Sequence, residues 1–228
     1  MATLGSVAQR HIVLHALLAG LTPLVPVPFV DDVLQARVMR RLVATLAALH
    51  DLPLAPADVR TLADPPGTSW IKDAARSVVM MPVRFVLRRI FVLLTGKRVI
   101  DLASESWHRG YLVDLAFAEA LCAPVGAYSA KQVREAVDAV CTEVPVAPIA
   151  HGLKLGFEQA KGALVTALPA LQRLFGRLVG EPMPPPADGG DDGALDGVLQ
   201  RMLRATATVP SEHLDTLRSK LLQRLPRR

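Results

Sequence analysis

His11 and His15 stand four residues apart, the spacing that puts two imidazoles on one side of a helix and could begin a metal or haem site. A third ligand would have to come from Asp31 or Asp32, across a proline-rich corner, where an adjacent carboxylate pair could also act as acid and base. The zinc-protease form HExxH is absent, because Ile12 stands where the glutamate would be. Polar helix histidines and a helix cap at Asp31 and Asp32 explain the same residues more simply, so neither a metal nor another cofactor is expected.

A second cluster, SESWHRGY over residues 104–111, gathers Ser104, Glu105, Ser106, His108 and Tyr111. It lacks the GxSxG elbow, and triad members converge from distant positions rather than from neighbours, so it reads as a helix start or turn with Trp107 packed inward. LLTGKR contains the GK of a phosphate-binding loop. That motif needs glycine five positions before Gly96, where Phe91 stands, and Ser or Thr after Lys97, where Arg98 stands. Nucleotide hydrolysis is thereby excluded. Cys122 and Cys141, nineteen positions apart with no CxxC pair, read as reduced, buried thiols.

The elements that would carry these residues are helical. Apolar residues make up 51% of the 228 positions and aromatics only 4%, which favours helix-on-helix packing over a sandwich or barrel. Helical stripes are predicted from Val7 to Gly20, and from the Asp31 and Asp32 caps to about His50, the latter with Leu34, Val38, Leu42, Leu46 and Leu49 inward. Between them Pro23, Pro26 and Pro28 predict an extended corner from Thr22. A short helix follows Pro56. Helical spacing continues over residues 100–121, 129–142 (capped by Ser129) and 149–178, where Gly152, Gly156 and Gly162 would admit a close neighbour. The fold class is all-α: a compact helical bundle over residues 1–179, a Pro/Gly/Asp-rich linker over 180–193, and a C-terminal helical hairpin with a basic tail over 194–228, its second helix capped by Ser211.

Charge is distributed in blocks. The net charge is +5, yet residues 69–98 alone hold seven basic side chains against one acid, Asp73. Residues 181–196 carry five acids and no base. Lys72, Arg76, Arg84 and Arg88 recur at multiples of four, with Arg89 beside them, along a helix otherwise occupied by Val79, Val83, Val86, Leu87, Ile90 and Leu94. Such a helix suits a membrane surface. It does not suit a bilayer core, where Arg84, Arg88 and Arg89 would together cost about 8–10 kcal/mol against an apolar gain of about 3–7 kcal/mol over residues 78–94. A protein groove is the competing environment. Nucleic acid ranks last as a partner, since aromatic residues for base stacking are few and no binding motif is present. The N-terminal run has a poor charged region and reads as no secretory signal, so a cytoplasmic protein, peripheral on the inner membrane, is expected.

Residues 11–62, with HALLAGLTPLVPVPFVDD from His15, resemble the helical domain of YcjF-like bacterial proteins. Pro26, Pro28, Asp31 or Asp32, Gln35, Arg37 and Met39 match that pattern in kind and approximate spacing, while His50-Asp51 replaces its YG pair and Phe29 stands where it prefers glycine. The resemblance implies membrane association and partnership with a GTPase, and it brings no catalytic residues. Together these features predict a non-enzymatic helical accessory protein, held on a membrane by its basic apolar helix and docking a protein partner. A soluble helical interaction module is the first alternative, and a metal-dependent enzyme using His15 with Asp31 or Asp32 is the second.

Overall fold

Side chains that recur every three to four positions form a continuous apolar stripe on a helix, and a domain made of such helices must bury each stripe against another. In the computed structural model, residues 6–24, 30–64, 96–167, 170, 171, 173, 174, 177 and 193–225 are described. They form eight α-helices: α1 (Ser6–Leu21), α2 (Val30–Leu49), α3 (Pro56–Ala63), α4 (Lys97–Ala118), α5 (Ala130–Glu143), α6 (Ala147–Thr166), α7 (Gly193–Thr206) and α8 (Ser211–Arg224). The all-α bundle expected from the sequence is the observed fold, with no strand among the described residues.

α4 is the central element. It packs against α1, α2, α5, α6 and α8, and is accordingly buried on several sides, through Ile100, Trp107, Leu112 and Phe117 among others. Each fully buried side chain of this size contributes about 1.5–3 kcal/mol. Trp107 is 1% exposed and stacks on Tyr111 with ring centroids 5.4 Å apart, so the inward tryptophan expected from the sequence is found. The helix runs unbroken through Gly110, where α1 and α2 come close: a Cβ would come within 2.8 Å of the Leu42 side chain on α2 and 3.4 Å of Ile12 on α1, so Leu42 would have to shift.

The C-terminal hairpin shares this core. α7 lies along α6 and also touches α1, and Val198, Leu199 and Met202 belong to the same buried cluster as Ile12 and Leu153. Gly152 and Gly156 make the α6–α7 approach close, with hypothetical Cβ atoms 3.0 Å from the Ala205 carbonyl oxygen and 3.2 Å from Met202 Cα. Gly162, expected to act with them, faces open space. α8 rests on α5 and α4, burying Leu217 and Leu221, and ion pairs link Arg224 and Lys220 to Glu143, and Arg218 to Glu119.

Several helix ends differ from expectation. α5 starts as expected, with Ser129 Oγ accepting from the Gln132 backbone N–H and the Ser129 N–H donating to Gln132 Oε1 at 3.0 Å. α8, by contrast, is preceded by Pro210 as its capping residue, and Ser211 is already the first helical position. α2 begins at Val30, so Asp31 and Asp32 fall within the first turn instead of at its cap. Their charge still suits the positive end of the helix dipole. Thr22–Leu24 is a 3₁₀ turn and not extended chain, since the Thr22 hydroxyl donates back to the Ala19 carbonyl at 2.8 Å and tightens the end of α1. The remainder of the corner, including Pro26 and Pro28, lies outside the described residues. Leu49, expected inward, is 41% exposed at the end of α2.

Candidate functional site

The sequence-predicted site residues are not gathered at one place. Lys72, Arg76, Arg84, Arg88 and Arg89 lie outside the described residues, as does residues 180–192 of the linker. His15 is buried, and its Nδ1 donates to the His11 carbonyl oxygen at 2.7 Å in its own helix. Burial pushes its pKa down to about 4, and the other side chains acting on it are His11 and Arg41, neither of them a carboxylate. Asp32, in contrast, is exposed. No group of three His, Cys, Asp or Glu side chains gathers as a metal site would need, among the described residues.

The cluster read as a simple helix turn has a second side. Residues four apart on α4 share a face, and the face opposite Trp107 and Tyr111 opens on a cavity of about 630 Å³. Among the described residues, α4 supplies Leu102, Glu105, Ser106, His108 and Arg109; α5 supplies Asp138, Cys141 and Thr142; Gln35, Ala36 and Met39 of α2, Ala63 of α3 and the turn Val144, Pro145, Val146 also line it. Asp138 anchors the polar side. Its Oδ2 accepts from Arg134 Nε at 2.6 Å, and its Oδ1 lies 2.7 Å from Arg109 Nη1. Arg134 is itself buried and also donates, through Nη1, to the Leu62 carbonyl at 2.9 Å. This contact ties α3 to α5 and fixes one wall of the cavity.

Burial governs ionisation here. Glu105, although an exposed residue, is raised above the ordinary carboxylate value first by partial desolvation and then by Asp101, with Arg109 opposing. His108 is driven down to about 4 by burial, with His213 and Arg109 adding to the shift, so its ring is neutral near pH 7. Burial raises the Cys141 thiol to about 11, which leaves it protonated and a poor nucleophile. His108 Nε2 and Ser106 Oγ are buried without hydrogen-bond partners, and Ser104 Oγ is spent on the Ile100 carbonyl at 2.5 Å. Among the described residues no serine bonds to His108 Nε2, and no carboxylate is among the groups that shift its ring.

Sequence reasoning missed this site because most of it lies on elements distant in sequence from α4. The spacing of Leu102, Glu105, Ser106 and Arg109 was a usable signal, since it marks a second face opposed to the aromatic one. The meeting of Arg109 with Asp138 across two helices carried none. Compared with protein-family models, curated proteins and solved structures, the chain matches none of them.

Proposed function

We propose that this protein is a non-enzymatic helical accessory protein that rests on an anionic membrane surface through residues 78–94 and docks a protein partner, a GTPase by the resemblance of residues 11–62. The observation that supports this most is the composition of residues 69–98: a net charge of +6 on a stretch otherwise dominated by Val, Leu, Ile and Phe. No helix among the described residues is long and apolar enough to cross a membrane. The large apolar side chains exposed among the described residues, Val7, Leu49, Val125, Val165 and Leu222, are spread over four helices and a loop and offer no better membrane contact. Asp51, standing where the resembled family has glycine, takes the left-handed backbone that glycine favours, with φ of 51°.

Attraction to an anionic surface contributes about 1 kcal/mol for each Lys or Arg close to it. Flotation with vesicles of phosphatidylcholine alone and with added phosphatidylserine tests the reading. The protein is expected to float with the anionic vesicles and to stay largely behind with the neutral ones; failure to float with either overturns it. The soluble interaction module is favoured instead if the protein is a monodisperse monomer without detergent and ignores both vesicles.

A further inference from the structure

We propose that α8 is an acid-released helix: protonation of His108 and His213, which face each other across the contact between α4 and α8, undocks it from the helical body.

His108 on α4 is 2% exposed, and its ring centre lies 6.5 Å from that of His213 on α8. The Nε2 atoms of both rings are buried, and neither has a hydrogen-bond partner among the described residues. Protonation puts a hydrogen on both nitrogens of a ring, so a charge added here arrives with a buried N–H that nothing accepts. Burial above all, then His213 and Arg109, holds the His108 ring at about 4, and burial lowers His213 as well. The carboxylates of the region are committed elsewhere. Asp138 on α5 serves Arg109 and Arg134, Glu105 on α4 and Glu212 on α8 are exposed, and Asp215 on α8 acts on Tyr111 beside Arg218. Neither these acids nor any titratable group of α1, α2 or α6 is among those that act on the two rings. Acid therefore places two like charges face to face, with Arg109 as a third.

The helix held by this pair is lightly anchored. α8 buries Leu217 and Leu221 against α5 and α4, and its remaining ties are the partly exposed ion pairs of Arg218 with Glu119 and of Lys220 and Arg224 with Glu143, a kind that adds little. An element held in this way opens at a lower cost than the whole chain. Release returns both rings to water, where an imidazole titrates near 6.5, so the undocked state takes up protons first as pH falls. Docking is at full strength above that value and weakens as pH falls towards 4. The freed segment carries Leu217 and Leu221 together with Arg218, Lys220 and Arg224, and is both amphipathic and basic.

The test is amide hydrogen exchange of the full chain by mass spectrometry at pH 7.5 and 5.0, with labelling times scaled to the intrinsic exchange rates. Protection of α8 is expected to fall at least tenfold at pH 5.0, the return of His108 alone from about 4 to 6.5 supplying roughly thirtyfold, while protection of α6 is unchanged. Glu143, its carboxyl held below the ordinary value by Lys220 and Arg224, keeps its charge at pH 5.0 and does not confuse the readout. With His108→Leu and His213→Leu combined, nothing in the pair titrates, and α8 is expected to stay within threefold of its protection at pH 7.5. His213→Glu, a change at a half-buried position that sets an acceptor opposite His108, is expected to shrink the acid loss at least threefold. Unchanged protection of α8 in the wild type at pH 5.0, an equal loss in α6, or an undiminished acid loss in either folded variant would overturn the proposal.

Discussion

Arg134 on α5 reaches across to the last turn of α3 and donates to the carbonyl oxygen of Leu62 at 2.9 Å, with its Nε held at 2.6 Å by Asp138. The two residues are 72 positions apart, and the bond closes one side of the cavity. A buried guanidinium is tolerable because a carboxylate and a carbonyl both accept from it.

Truncating that group leaves Asp138 with Arg109 alone and the Leu62 carbonyl without its donor. Arg134→Met is therefore expected to destabilise the protein by about 2–4 kcal/mol in urea unfolding, with the slope unchanged. Arg134→Lys should recover little of the loss, since one ammonium cannot span two acceptors placed for a planar fork. A loss below about 0.5 kcal/mol for the methionine variant would contradict this assignment.

Opposite effects are expected at two glycines. A Cβ at Gly20 would sit 2.9 Å from the Val99 backbone oxygen, where α1 meets the start of α4, so Gly20→Ala should cost about 1–3 kcal/mol despite its better helix propensity. A Cβ at Gly162 would meet nothing within 4 Å, and there Gly162→Ala should stabilise by up to about 1 kcal/mol. Thermal unfolding of the two variants side by side checks the pair. Equal signs would contradict the helix packing described.

Acid sensitivity follows from the buried histidines. His15 and His108 hold pKa values of about 4 in the folded protein against about 6.5 in an unfolded chain, so the unfolded state takes up protons first as pH falls. The contribution to stability is intact above about 6.5 and is lost progressively as pH falls from there to about 4, by about 3 kcal/mol for each histidine at most. His15→Leu removes one of the two. The stability difference between wild type and variant is expected to change over that interval and to level off outside it, other groups cancelling in the comparison. A pH-independent difference would show that His15 is not held neutral.

Legibility in the sequence varied with the range of the interaction. α5 could be read because its determinants are local: Ser129, Gln132 three residues on, and an apolar stripe of Val133, Ala136, Val137 and Val140, all of them buried. The close α6–α7 approach was half legible. Glycine spacing along α6 showed that a helix could come near, but only the location of α7 decides that Gly152 and Gly156 serve it and Gly162 does not. Helix starts were legible to within about three residues: the helix expected from residue 100 begins at Lys97 and the one expected from 149 at Ala147, since neighbouring positions compete for a helix end with small energy differences. The cavity was the least legible part. Glu105 and Arg109 look like a helix pair, and only the distant Asp138 draws Arg109 across to α5. Trp107, by contrast, was placed correctly from its own helix alone.

Charge reversal on the basic segment tests the membrane role most directly. With Arg84, Arg88 and Arg89 all replaced by Glu, three attractions of about 1 kcal/mol each are lost and become repulsions. Partition onto phosphatidylserine-containing vesicles at 0.1 M salt is expected to fall at least a hundredfold, while circular dichroism and thermal unfolding of the helical body stay as in the wild type. Undiminished partition of the folded variant would contradict an electrostatic membrane contact through residues 78–94.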